Sequence, residues 1–138
     1  MSAGWVIDSS VGLAWVHPDQ ATPETDKLLT EVALGAAIVV PAFWFLEMAN
    51  VLLVLQRRKK ITREHRIDAL KMLTALNPTV DEESSKAAFH KTSELAEKHG
   101  LTIYDATYVE LATRRKLRLA SRDASLSNAA KQCGVKVF

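Results

Sequence analysis

The sequence predicts an α/β fold, a three-layer α/β/α sandwich around a mainly parallel central sheet of four to five strands. Two observations carry this. Short apolar runs alternate with longer helical patterns along the chain. The strand candidates Trp5–Ile7 and Ala37–Val40 are continuously apolar, the pattern of parallel strands covered on both faces. The 138 residues suit one domain with a real hydrophobic core, expected over 1–138.

The elements follow in order. Trp5–Asp8 is a first strand ending on an acid. Ser9–Val16 reads as a short helix stopped at His17-Pro18, because a residue before proline is pushed out of the helical region. Thr22–Leu34 reads as a second helix, with Pro23 in the first turn and Gly35 closing it. Ala37–Val40 is the second strand, and Pro41 starts a long helix to about Lys60. Thr62 caps the next helix, where Ile67, Leu70, Leu73 and Leu76 form an apolar stripe ended by Asn77-Pro78. Thr79-Val80 is a very short edge-strand candidate. Asp81, Glu82 and Glu83 put negative charge at the start of a helix expected to run to His99, with Gly100 as its stop. Thr102 opens a helix through Arg115. Leu117–Ser121 reads as a strand, Asp123–Cys133 as a helix stopped by Gly134, and Val135–Phe138 as a last strand. Repeats, linkers and low-complexity tracts are absent from the sequence.

Composition narrows the function classes. With 48% hydrophobic and 25% charged residues, the chain reads as a globular domain and not a disordered one. A net charge of +2 is too small to identify a nucleic-acid binder, so the distribution of charge has to decide. The single Cys133 excludes an internal disulfide and a multi-cysteine zinc site, and it fits a reducing cytosol. The first strand opens without a basic-then-apolar leader, so a cytoplasmic protein without a signal peptide is expected. Ala37–Leu55 is long and apolar enough to suggest a membrane span. Pro41 interrupts it, however, and an acid at Glu47 would cost about 2.5–3.5 kcal/mol in the bilayer. A strand running into a buried helix explains the stretch better.

Four acids stand out by position. In an open parallel sheet, ligands bind outside the carboxyl ends of the strands. Asp8 closes the first strand, Asp123 follows the fourth, Asp105 lies in the first turn of a helix and Glu47 in the first half of another. Carboxylates held together repel one another unless a cation neutralises them, and oxygen-only ligands suit Mg²⁺ or Mn²⁺. Each acid alone also has an ordinary structural reading. Asp105 follows Thr102 by three residues, a capping-box spacing, while Asp8 and Asp123 each precede a helix they can cap. Glu47 has no capping role and is expected to be buried, with Asn50 on the same helical face to orient it or a water.

The four segments around these acids resemble one family. Val6-Ile7-Asp8-Ser9-Ser10, Pro41 leading into Leu46-Glu47-Met48-Ala49-Asn50, His99 to Tyr108 around Asp105, and Leu119-Ala120-Ser121-Arg122-Asp123 are similar in order and spacing to PIN-domain ribonucleases, specifically VapC-type toxins of toxin–antitoxin pairs. Each motif alone is weak, whereas the four in sequence over essentially the whole length are specific. The resemblance implies a PIN-like fold and an Mg²⁺- or Mn²⁺-dependent endoribonuclease that leaves a 5′-phosphate and a 3′-hydroxyl. It implies metal-binding and catalytic roles for Asp8, Glu47, Asp105 and Asp123, with Asp8 and Asp105 as first choices for direct ligands. It puts supporting roles on Ser10, Asn50, Thr102 and Ser121. It also implies a homodimer and an antitoxin whose C-terminal segment covers the site.

An acidic pocket repels RNA unless cations stand nearby. Arg57, Arg58, Lys59 and Lys60, continued by Arg63 and Arg66, form one candidate RNA-binding cluster; Arg114, Arg115, Lys116 and Arg118 form another. Both lie at helix C-termini, where cations favour the helix dipole in any case. A signalling receiver domain is disfavoured, because Asp8 stands alone where an acidic pair is needed. A PIN-like module that binds without cutting, or a nuclease acting on DNA, is the remaining alternative.

Overall fold

The computed structural model describes residues 4–138, so the domain expected over 1–138 is described from Gly4 onward. The elements are β1 (Trp5–Ile7), α1 (Ser9–Val16), a 3₁₀ turn (Pro18–Gln20), α2 (Pro23–Ala33), β2 (Ile38–Pro41), α3 (Phe43–Arg57), α4 (Arg63–Ala75), β3 (Thr79–Asp81), α5 (Ser84–Ala87), a π-helical turn (Ala88–Thr92), α6 (Ser93–His99), α7 (Ile103–Arg115), β4 (Arg118–Ala120) and α8 (Ala124–Gln132). The sheet order is β3-β2-β1-β4, and every pairing is parallel. Helices cover both faces, as continuous burial of β1 and β2 requires. Among the described residues, no helix is long and apolar enough to cross a membrane.

Start and stop signals act where the sequence puts them. Thr22 and Thr62 accept backbone N–H bonds at the starts of α2 and α4, and Gly100 ends α6 at φ 65°, a conformation that costs glycine little. Three expectations need correction. Pro41 does not start the long helix; it ends β2, paired with Asp81, and α3 starts at Phe43. Val135–Phe138 does not form a fifth strand; it contributes one isolated parallel bridge, Leu119 to Val137. The helix expected from Glu82 to His99 is broken, because Asp81 belongs to β3 and His90 has non-helical φ −121° and ψ −105°.

Register and close packing bring the acid-bearing segments together. β1 lies centrally, pairing Val6 with Val39 on one side and Ile7 with Ala120 on the other. Asp8 therefore comes level with the residue after Ala120, and its N–H donates to the Ala120 carbonyl at 3.3 Å. α1 packs against α3 at a glycine: a Cβ on Gly12 would meet Met48 Sδ at 2.8 Å and Trp44 at 3.0 Å. Trp44, Met48 and Leu52, spaced four apart, form the buried stripe of α3. α7 is the inner helix, buried continuously from Ala106 to Ala112, and it packs against β1, β2 and β4.

Candidate active site

Asp8 is the most constrained of the four acids. It is 6% exposed, at the end of β1, where it also caps α1. Ser10 Oγ donates to its Oδ1 at 2.6 Å, the Val11 N–H donates to the same oxygen at 3.2 Å, and Ser121 Oγ donates to Oδ2 at 2.5 Å. Burial raises its pKa, and these hydrogen bonds counter it without cancelling it. Trp44 Nε1 donates to the Asp8 carbonyl at 3.2 Å, fixing the start of α3 against the end of β1.

The other acids reach the same rim from three further segments. Asp105 sits three residues beyond the α7 cap, its N–H donating to Thr102 Oγ1 at 3.1 Å. Burial raises its pKa, the charges of Asp123 and Asp8 raise it further, and Thr102 counters them. Asp123 caps α8 by accepting the Leu126 N–H at 3.2 Å, while its own N–H donates to Ser121 Oγ at 2.9 Å. Glu47 is half-buried. Burial raises its pKa, Tyr108 works against that by hydrogen bonding, and the charges of Asp105 and Asp8 raise it again. Charge thus links the acids: Asp123 and Asp8 act on Asp105, and Asp105 and Asp8 act on Glu47.

They are not a closed cage. Among the described residues, no group of three His, Cys, Asp or Glu side chains is arranged to hold an ion. The reason lies in the bonds just given. The Asp8 oxygens and Asp123 Oδ1 face hydroxyl and amide donors. The donor set itself fits a hard cation: four carboxylates and three hydroxyls, with three of the acids holding protons more tightly than usual. Zinc fits poorly, since among the described residues no histidine or cysteine bonds to any of these groups.

The supporting residues divide. Ser10, Thr102 and Ser121 make the hydrogen bonds described, and Ser10 Oγ also accepts the Arg122 N–H at 2.9 Å. Asn50 is exposed and, among the described residues, forms no hydrogen bond to Glu47. Tyr108 takes that place, its hydroxyl donating to Glu47 Oε1 at 2.6 Å from 61 residues away. Burial, then the hydrogen bond and charge of Glu47, push the Tyr108 hydroxyl far above its ordinary pKa, so it remains a donor. Sequence reading missed Tyr108, because a tyrosine on an apolar helix face resembles core. The one available signal was its place three residues after Asp105, on an adjacent part of the same helix.

The two basic clusters differ as well. Arg57, Arg58, Lys59 and Lys60 are exposed, and among the described residues none of them pairs with an acid. Arg114 and Arg115 are engaged elsewhere. Arg114 Nη2 donates to Asp81 Oδ2 at 2.7 Å and its Nε to Glu110 Oε2 at 2.8 Å, while Arg115 Nε donates to Asp81 Oδ1 at 2.8 Å. Ser84 Oγ completes the set at 2.6 Å. Burial works to raise the Asp81 pKa, but Arg114, Ser84 and Arg115 hold it well below the usual carboxylate range. Arg118 lies over the Trp5 ring, 4.0 Å from its centroid.

Residues 5–132 match the family model described as "PIN domain". No curated protein matches the chain. Among solved structures, PAE2754 from Pyrobaculum aerophilum is similar with a TM-score of 0.70 at 20% identity, covering 97% of this chain and 88% of that one. VapBC2 from Rickettsia felis, bound to a DNA fragment from their promoter, gives 0.67 at 11% identity, over 98% and 97%. FitAcB from Neisseria gonorrhoeae gives 0.66 at 18% identity, over 97% and 96%. At such identities these likenesses concern the fold.

Proposed function

The chain belongs to the PIN-domain family, and from that premise we propose that it is a metal-dependent endoribonuclease, the toxin of a type II toxin–antitoxin pair. The observation that carries the proposal is the electrostatic coupling of acids from four separate segments. Asp105 is pushed up by burial and by Asp123 and Asp8, and Glu47 by burial and by Asp105 and Asp8. Repulsion of this kind destabilises the fold, and function is the usual reason for such a cost at one rim.

Asp8 and Asp105 are assigned to hold Mg²⁺ or Mn²⁺, with Glu47 and Asp123 binding directly or through water. When bound, the ion would polarise the phosphodiester and neutralise charge growing on the phosphate oxygens. The chain's own residues prepare this. Ser10 and Ser121 hold Asp8 ionisable despite its burial, each lowering its pKa. Thr102 caps α7 by accepting the Asp105 N–H. Glu47 or Asp123 takes the proton of the attacking water. Arg57, Arg58, Lys59 and Lys60, exposed and unpaired among the described residues, are the assigned phosphate contacts, whereas Arg114 and Arg115 serve mainly the Asp81 network.

RNA as substrate, and hence a cytoplasmic site of action, follows the family resemblance. So does an antitoxin partner, supported by the likeness of fold to VapBC2 and FitAcB. Exposed apolar residues beside the acids give a partner or second copy something to cover: Leu46 is 74% exposed and Tyr104 59%, along an open groove of about 400 Å³ that also includes Phe43 and Ile103. The test is cleavage of single-stranded RNA with Mn²⁺ by the parent, Asp8→Asn and Asp105→Asn. Cleavage that needs Mn²⁺ and falls at least about a hundredfold in both variants supports a nuclease. Equal cutting by all three would mean contamination, and no cutting by the parent would favour a PIN-like module that only binds.

A further inference from the structure

We infer that Tyr108 is a positioning residue for Glu47, holding by one buried hydroxyl an acid that accepts no other hydrogen bond among the described residues. The inference rests on the nuclease reading above.

Support for the acids is unequal. Asp8 receives three donors, and Asp123 is fixed at both its carboxylate and its N–H. Glu47 is longer, half-buried, and repelled by Asp105 and Asp8. Among the described residues its only hydrogen bond is the one from Tyr108, at 2.6 Å. That length is normal for a hydroxyl donating to a charged carboxylate, a bond about twice as strong as a neutral one. Without it, repulsion and side-chain entropy both favour swinging Glu47 away from its neighbours.

Tyr108 is built to hold still. It is 1% exposed and lies in the continuously buried stretch of α7. Phe43, at the start of α3, meets its ring edge-on with centroids 5.6 Å apart, and Tyr104 meets Phe43 in the same way at 5.2 Å. The ring is therefore confined by the same two helices that carry Glu47 and Asp105. A buried tyrosine needs some acceptor, and a backbone carbonyl would satisfy it. Here the acceptor is the acidic side chain of the opposing helix. One helix thus supplies one acid and orients another, and Glu47 keeps Oε2 for an ion or a water.

Tyr108→Phe removes the donor and retains the ring. The experiment compares parent, Tyr108→Phe, Glu47→Gln and the double variant by Mn²⁺ calorimetry, RNA cleavage kinetics and thermal unfolding in EDTA. Partners that orient a metal ligand typically contribute ten- to a hundredfold in affinity or activity. The expected result is therefore Mn²⁺ binding and kcat reduced about tenfold or more in Tyr108→Phe, with KM for RNA within about twofold. Adding Tyr108→Phe to Glu47→Gln should change neither quantity further, because the hydroxyl acts through Glu47. Undiminished Mn²⁺ binding and kcat in a folded Tyr108→Phe protein would overturn the inference. So would an equal loss in the Glu47→Gln background. A parent that binds no Mn²⁺ and cuts no RNA would instead overturn the nuclease reading, and this inference with it.

Discussion

Ser121 Oγ donates to Asp8 Oδ2 at 2.5 Å, joining residues 113 apart at the ends of two paired strands, β1 and β4. The same oxygen accepts the Asp123 N–H at 2.9 Å, so one hydroxyl links the strand-end acid to the segment that carries the fourth. Parallel register puts these groups level.

Ser121→Ala should therefore weaken both the fold and the site. It strips a buried carboxylate of one of its donors, and such a loss costs about 1–3 kcal/mol. Urea unfolding at neutral pH reads this directly. Ser10→Ala should cost less, since Ser10 is half-buried and water can replace it. A Ser121→Ala protein as stable as the parent would show that Asp8 does not depend on β4.

The acids set a pH dependence whose sign can be worked out. Burial, with mutual charge for Glu47 and Asp105, raises the folded pKa of Asp8, Glu47 and Asp105. The folded chain then holds more protons than the unfolded one between the ordinary carboxylate range and those raised values, so stability falls as pH rises through that interval. Asp81 runs the other way: its contribution is present above the ordinary value of 3.8 and is lost as pH falls toward its lowered folded value. In EDTA, the melting temperature should fall as pH rises out of the ordinary carboxylate range through the raised folded values, and saturating Mn²⁺ should shrink the fall. A flat profile in EDTA would contradict the coupling.

Asp105→Asn should separate stability from function. Without divalent ions, it removes a carboxylate that repels Glu47, and a gain of up to about 1 kcal/mol is expected, as for other stabilising changes at functional sites. With Mn²⁺ at a hundred times its dissociation constant, the parent should gain about 2.7 kcal/mol and the variant far less. Equal stabilisation of both by Mn²⁺ would place the ion elsewhere.

The two arginine-rich regions should respond differently to mutation. Asp81→Asn leaves Arg114 with Glu110 alone and Arg115 without its acid. Because these are 31% and 37% exposed they can hydrate, so the loss should be about 2 kcal/mol, below that for a fully buried pair. Arg58→Ala and Lys59→Ala should leave melting unchanged and reduce the salt dependence of RNA binding by about one unit per cation. Arg114→Ala should show the reverse, a lower melting temperature with the salt slope intact.

Much of this was legible in the sequence, for local reasons. Asp8 closing an apolar run, Thr102 three residues before Asp105, and Asp123 before Leu126 are cap and strand-end signals that act within a few residues. Non-local features were hidden. Asp81 looks like a helix cap, yet its partners Arg114 and Arg115 lie more than thirty residues away, and only folding reveals the pairing. Tyr108 reads as core because its acceptor sits on another helix. Val135–Phe138 has strand composition but only one bridge to β4. The apolar run of α3 suggested a buried helix, whereas Phe45 is 42% and Leu46 74% exposed.

Calorimetric titration of the metal-free protein with Mn²⁺, repeated on Asp8→Asn and Asp105→Asn, tests the shared acid site most directly. The expected result is saturable binding by the parent that weakens at least about tenfold in each variant, since each removes a ligand charge. Binding that survives both substitutions, or a parent that takes up no Mn²⁺, would contradict it.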